Sequence, residues 1–156
     1  MHLPSSSLFS RQAAISTLVF LTLCASSAAY AQSQRSGTLK AVQGDVAVVK
    51  GETRQTALSG DGIAQADRIV TGPNSAASLT LRDGTALVVG PNSNVSLSRF
   101  EYEPTTQKGG LMVDVLQGSI RMVSGLIGKL NPEQVKVKTP TVVVGVRGTD
   151  FIVEVP

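Results

Sequence analysis

The chain has 156 residues, of which 42% are hydrophobic, 16% are charged and 4% are aromatic, and its formal net charge is +3. The weak, dispersed positive charge and the shortage of aromatic rings argue against nucleic acid as a partner. With one histidine and one cysteine, His2 and Cys24, few catalytic or metal-binding arrangements are available.

The first 31 residues resemble a secretory signal. Arg11 closes a weakly positive start, residues 13–25 are uncharged and mostly apolar, and residues 29–31 are Ala-Tyr-Ala. This pattern predicts cleavage after residue 31. The apolar run is too short for a membrane anchor, because a transmembrane helix needs about 20 residues. Lipidation is rejected because Leu23, which is not small, precedes Cys24 deep within the run.

Cleavage there would leave residues 32–156 without His2 or Cys24. A Ser-His-Asp or Cys-His nucleophile, a His or Cys metal site and a disulfide are then all excluded, and we expect no cofactor and no membrane span. The remaining aromatic residues are Phe100, Tyr102 and Phe151. We therefore expect a protein without nucleic-acid-binding chemistry.

Valine and glycine dominate the remaining segment, which predicts short β-strands and an all-β domain. Residues 32–37 have nothing to bury and are expected to be a mobile lead-in, so the domain spans residues 38–156. Residues 125–134 contain two glycines and Asn-Pro and are predicted to be a loop or arm. No segment has a helical period. The predicted strands are 38–42, 46–50, 67–71, 76–81, 85–89, 95–103, 111–116, 119–123, 135–139, 142–146 and 150–155, with a tight turn at Gly118.

An internal repeat carries the clearest structural signal. Gly-Pro-Asn-Ser-Ala-Ala-Ser-Leu at 72–79 returns as Gly-Pro-Asn-Ser-Asn-Val-Ser-Leu at 90–97, a period of 18 with six of eight positions identical. Each copy begins with turn-forming residues and continues with alternating polar and apolar residues, which is the pattern of one strand-turn unit. The repeat predicts a two-layer β-sandwich or short β-roll, with a parallel β-solenoid as the alternative.

A hairpin is predicted between the two copies. Asp83-Gly84 is a preferred two-residue turn between strands, and it favours antiparallel pairing. In that register Leu79 and Leu81 share one face with Ala86 and Val88. We expect this face to be core.

Two carboxylates, Glu101 and Glu103, lie opposite Phe100 and Tyr102 in a strictly alternating strand. Paired carboxylates can divide acid and base roles in glycoside hydrolysis. Alternation explains them more simply as the solvated side of a strand whose other side is buried. An enzyme is therefore the weakest of the functional readings.

Other charged residues have structural explanations. Asp61 and Asp67 lie near glycines, but their spacing fits neither an EF-hand nor an RTX calcium loop, and turn formation explains them. Lys136 and Lys138 share one strand face and are predicted to protect an exposed sheet edge from aggregation. We expect no metal site.

Several ordered fragments together point to a family. They are Gly44-Asp45-Val46, the segment 67–81, Asp83-Gly84-Thr85, the segment 116–120, Thr139-Pro140 and the segment 146–151, Val-Arg-Gly-Thr-Asp-Phe. In this order they resemble the FecR domain, the periplasmic β module of the ferric citrate sensor family, over residues 38–156. The residues that carry the resemblance are Gly44, Asp45, Asp67, Thr71, Gly72, Asp83, Gly84, Gly118, Pro140, Arg147, Gly148, Thr149 and Phe151.

The resemblance implies a sensor with a cytoplasmic segment that handles a sigma factor, one transmembrane helix and a periplasmic receiver. Only the receiver-like part and an export signal are expected here, so regulation of transcription does not follow from the fold. We expect an exported protein-recognition or scaffold module in the periplasm or outside the cell, with a role in signalling as one option. The alternative is a cell-wall or surface-polysaccharide module, for which aromatic platforms are scarce. The implied partner is an envelope protein.

Arg147 has two readings. Gly145 and Gly148 flank it and could let the backbone pack closely, so that Arg147 and Thr149 lock the last strand through Asp67 or Asp83. The other reading makes Arg147 an anion site.

Overall fold

The computed structural model describes residues 35–156, which form a curled, mainly antiparallel β-sheet resembling half a barrel. The predicted all-β class is confirmed, and the sandwich or roll remains a prediction. The elements are β1 (Arg35–Gln43), β2 (Val46–Lys50), β3 (Thr53–Thr56), β4 (Gly62–Ala64), β5 (Arg68–Thr71), β6 (Ala76–Leu81), β7 (Ala86–Val89), β8 (Asn94–Glu103), β9 (Lys108–Val123), α1 (Leu126–Leu130), a 3-10 turn (Pro132–Gln134), β10 (Val135–Lys138), β11 (Val143–Gly145) and β12 (Asp150–Val155).

The strands divide into two half-sheets that share β9. Half-sheet A has the order β4-β1-β6-β7-β9-β12, and half-sheet B has the order β3-β2-β5-β8-β9-β10-β11. Among the described strands, only the β9–β10 pairing is parallel. The alternative of a pure parallel solenoid is therefore wrong.

Strand β9 runs for 16 residues and crosses from one half-sheet to the other. Its first part pairs with β8 and β10, and its last part pairs with β7 and β12. Gly118 lies between the parts with φ +87°, which bends the strand without ending it. The predicted tight turn between two strands is wrong here, because the chain continues in the same direction.

One hydrophobic core is covered by both half-sheets. Alternating residues of β6, β8 and β9 are buried, while the residues between them are partly or fully exposed, which is the period of half-buried strands. The largest fully buried side chains are Leu39, Ile63, Leu79, Leu111, Ile120, Met122 and Ile127.

The β6–β7 hairpin differs from the prediction by one residue. The Leu81 N–H donates to Thr85 O, so three residues form the loop, and Gly84 takes φ +84°. Leu79 consequently pairs with Leu87, and Val88 faces outward with 41% of its surface exposed. The expected core face containing Val88 is wrong, because a one-residue shift turns every following side chain to the other face.

Two expected irregular segments are ordered. Residues 35–37, assigned to a mobile lead-in, begin β1, and Ser36 is buried while its carbonyl accepts a bond from the Arg82 N–H. The predicted loop at 125–134 contains α1, whose Ile127 is fully buried in the core. The predicted signal, 1–31, and residues 32–34 lie outside the described residues.

Candidate interaction site

The first copy of the repeat closes a corner between the half-sheets, here named corner 1. The Gly72 N–H donates to Asp45 O at 2.9 Å, and Ser75 Oγ accepts from the Asp45 N–H at 2.9 Å while donating to Pro73 O at 3.0 Å. Gly44 has φ +74°, and a Cβ there would overlap Ser75 Oγ. At corner 1 the chain passes from β1 in half-sheet A to β2 in half-sheet B. The segment that joins β5 to β6 crosses it at the same place, in the opposite direction.

The second copy builds corner 2 by the same contacts. The Gly90 N–H donates to Ser119 O at 2.8 Å, and Ser93 Oγ accepts from the Ser119 N–H at 3.0 Å while donating to Pro91 O at 3.0 Å. Gly118 corresponds to Gly44, with positive φ and no room for a Cβ beside Ser93. The repeat thus encodes two equivalent crossings, with the chain running in opposite directions between the half-sheets.

Thr71 joins the two corners. Its hydroxyl donates to Gly90 O at 2.6 Å and accepts from the Ser93 N–H at 2.9 Å, and the Asn92 N–H donates to Gly72 O at 3.1 Å. Five residues that carry the family resemblance meet here: Gly44, Asp45, Thr71, Gly72 and Gly118. Their partners are backbone groups and serines, which gives them a structural role.

Asp83 and Gly84 form a second structural cluster. Asp83 is 1% exposed, and its carboxylate accepts from the Thr85 N–H at 3.1 Å and the Thr85 hydroxyl at 2.7 Å. Its backbone carbonyl accepts from the Leu126 N–H, and Thr85 Oγ1 accepts from the Gly125 N–H. The hairpin loop therefore holds the start of α1.

Arg147 does not make the expected lock. Arg147 is exposed, whereas Asp67 accepts from the Ala64 N–H at 2.8 Å and Asp83 is satisfied by the contacts above. A Cβ at Gly145 or Gly148 would meet no atom within 4 Å, so the backbone is not closely packed there. The expectation is wrong because Val146, not Arg147, turns inward.

The last strand is held by other groups. Ser124 donates its N–H to Thr149 O at 2.8 Å and its hydroxyl to Gly148 O at 2.9 Å, and Phe151 packs against the core. Arg121 forms a two-bond ion pair with Asp150, at 2.6 and 3.0 Å. This hydrogen bonding to Arg121 lowers the pKa of Asp150, although the exposed pair adds little to stability.

The edge of half-sheet B beyond β10 carries exposed apolar side chains. Lys136 and Lys138 lie on β10, which β11 covers, so the expected edge protection by these lysines is wrong. The true edge, β11, has β10 as its strand partner in residues 35–156. Three consecutive valines there are 52%, 53% and 42% exposed: Val142, Val143 and Val144. Pro140, in the turn before them, is exposed as well.

The opposite edge of half-sheet B is protected. Strand β3 reads Thr-Arg-Gln-Thr and is exposed throughout, with Arg54 at its centre and Glu52 just before it. Polar and charged side chains discourage pairing with another strand. The β11 edge lacks this protection.

A groove of about 560 Å³ lies beside β8. Arg82 stacks over Phe100, 5.8 Å from the ring centroid, and Tyr102 is half-buried nearby. The exposed Glu101 forms two bonds with Arg99, at 2.8 and 3.2 Å, and this hydrogen bonding lowers the pKa of Glu101. A carboxylate held in its ionised form is a poor general acid, which supports the structural reading of this strand.

Within residues 35–156 no group of three or more histidine, cysteine or acidic residues is arranged to hold a metal ion. In the same part of the chain, neither helical segment has the length and apolar character that crossing a bilayer requires.

The fold and the site define a β module with an exposed, uncharged strand edge at β11 and two hydrogen-bonded corners between its half-sheets. A family model described as FecR protein matches residues 67–155, more than half of the chain. The chain therefore belongs to the FecR family, as the motifs predicted. Neither a curated protein nor a solved structure matches it significantly.

Sequence reasoning missed the β11 edge. The signal is the run of three uncharged valines, which by itself predicts a strand but not its place in the sheet. Recognising them as an edge requires the sheet order, because the sequence does not show that β10 lies between β9 and β11.

Proposed function

We propose that this protein is an exported, non-enzymatic module of the cell envelope that recognises another protein by adding one of its strands to β11. The observation that carries the proposal is the exposed, uncharged β11 edge, which is ready for backbone pairing. Membership of a family suggesting regulatory and signalling roles supports a recognition function.

The backbone geometry supports strand addition. The Val146 N–H donates to Val135 O at 3.0 Å, and the Thr139 N–H donates to Val142 O at 2.8 Å. Because backbone groups alternate sides along an antiparallel strand, the N–H and C=O groups of Val143 and Gly145 face away from β10. They form the free pairing edge.

The test places a photo-crosslinking amino acid at position 143, with position 55 on the polar β3 edge as the matched control. In cells that express the full chain, we expect one defined protein adduct at 143 and none at 55. The protein recovered from the envelope fraction should begin at Gln32, after the predicted signal. Equal amounts of adduct at positions 143 and 55, or no adduct at either position, would contradict the proposal.

A wall-polysaccharide module is the second candidate, favoured by the groove with Arg82 and Tyr102 beside Glu103 and Lys108. Sedimentation with purified peptidoglycan separates the two candidates. Co-sedimentation abolished by Tyr102→Ala and unaffected by Val143→Pro would support the polysaccharide role.

A further inference from the structure

We infer that the strand added at β11 comes from an extended, acidic segment of a partner protein in which apolar and acidic side chains alternate. This inference rests on the proposed function and specifies the partner's chemistry. Three features of the edge carry it: the apolar inner side, the gap at Gly145, and the cations beside that gap.

The face of β11 that continues the core requires apolar residues on the added strand. Val144 is paired with Val137, which is completely buried, yet Val144 itself is 42% exposed. Val142 lies two residues earlier on the same side and is 52% exposed. A partner strand with apolar residues at every second position would cover these valines and extend the core.

The outer side of the edge contains a gap over a cation. Gly145 is the register partner of Lys136, and a Cβ at Gly145 would meet no atom within 4 Å. A side chain on an added strand opposite Gly145 would stand two strands from Lys136, at about 9–10 Å between backbones. Extended glutamate and lysine side chains can meet across that separation because no side chain lies between them.

A second cation lies on the same side. Since the Val146 N–H bonds to Val135 O, pairing continues past β11, and alternation places Arg147 on the face of Gly145. Arg147 and Lys136 are both exposed, and neither has a carboxylate within 4.0 Å among residues 35–156. Two cations around one gap favour acidic residues on the added strand.

The third nearby cation, Lys138, has an acidic residue as its direct neighbour across the strands, although the two form no ion pair within 4.0 Å. Lys138 is the register partner of Asp114, whose carboxylate lies on the same outer face of half-sheet B. Selectivity for acidic residues is therefore assigned to Lys136 and Arg147. Charge reversal at these two positions should invert the preference.

The experiment measures fluorescence anisotropy with two labelled synthetic peptides, one alternating valine with glutamate and the other alternating valine with lysine. Each is titrated against the signal-cleaved chain, the charge-reversed variant Lys136→Glu/Arg147→Glu, and a matched control, Lys40→Glu/Arg54→Glu, whose cations are exposed elsewhere. Circular dichroism and thermal melting verify that each variant folds. The wild type and the matched control should bind the glutamate peptide at least tenfold more tightly than the lysine peptide, and the charge-reversed variant should reverse this order.

A second variant separates the inference from the proposed function. Val143→Pro removes an N–H on the free edge without removing a bond to β10, so binding of both peptides should fall at least tenfold. If both peptides bind equally to every charge variant and Val143→Pro abolishes binding, strand addition stands and the acidic preference is overturned. If neither peptide binds, both are overturned. A wild-type dimer in sedimentation equilibrium that Val143→Pro dissociates would identify a second copy as the occupant and also overturn the inference.

Discussion

The two corners and the β11 edge differ in whether their polar backbone groups and side chains are paired within the described chain. At corners 1 and 2 the same Gly-Pro-Asn-Ser sequence is used twice, and its serines, Ser75 and Ser93, are buried and hydrogen-bonded. At β11 three valines are exposed and one side of the backbone is unpaired by the described chain. The repeated sequence thus explains the architecture, while the unrepeated edge leaves the exposed valines and backbone groups that the proposed strand addition would use.

The largest expected effect is at corner 2. A Cβ at Gly118 would overlap Ser93 Oγ and lie 2.5 Å from Ser93 Cα, in a backbone conformation with φ +87°. Gly118→Ala should lower the free energy of unfolding by about 3 kcal/mol or more, from strain and overpacking combined. Urea denaturation provides the measurement.

Gly84→Ala is the matched control for backbone strain. Gly84 has a similar φ of +84°, but a Cβ there would meet nothing within 4 Å. It should cost about 1–2 kcal/mol, from the left-handed conformation alone. Equal losses in the two variants would show that crowding at corner 2 contributes nothing.

The next effect tests the link between the corners. Thr71→Val keeps the shape of the side chain but leaves Gly90 O and the Ser93 N–H without their buried hydroxyl partner. We expect a loss of about 2 kcal/mol in unfolding free energy, against about 1 kcal/mol for Ser75→Ala, which affects corner 1 alone. A Thr71→Val protein as stable as wild type in urea would mean that the corners are independent.

A smaller effect concerns the ion pair that ties β12 to β9. Arg121 lowers the pKa of Asp150 below its ordinary 3.8, so the pair stabilises the fold above about pH 4 and this contribution is lost as pH falls through the lowered pKa. Wild type should exceed Asp150→Asn slightly in stability at pH 7. Urea unfolding at about pH 2.5 should show a smaller difference than at pH 7, whereas an equal difference at both pH values would exclude this linkage.

The smallest stability effect is expected at the edge. Arg147→Ala and Val143→Thr alter exposed side chains and should change the free energy of unfolding by less than about 0.5 kcal/mol. Chemical denaturation of each variant provides the measurement. A loss above about 1 kcal/mol for Arg147→Ala would show that Arg147 locks the last strand after all.

Local chemistry was sufficient to predict much of the fold. Strands β2 and β6 coincide with the predicted segments 46–50 and 76–81, because β-branched alternation and flanking turns define them. The repeat predicted strand-turn units, and the glycine and aspartate motifs predicted the family. These features depend on residues close together in the sequence.

The errors arose where distant parts of the chain decide the structure. The β6–β7 loop has three residues because Asp83 and Thr85 also hold α1, a contact that the local turn signal does not contain. The glycines that flank Arg147 predicted that it locks the last strand, yet Val146 takes the inward position. Alternation of lysine and valine in β10 predicted an edge strand, but sheet order cannot be deduced from one strand.

Strand β9 has a mechanical consequence for the strand addition proposed at β11. A tensile load on β11 passes through β10 to the first part of β9, which β8 holds on its other side, while β7 and β12 hold β9 beyond Gly118. The load is then shared by many hydrogen bonds in both half-sheets. A ligand anchored at this rim would therefore pull against the whole domain and not against a single hairpin.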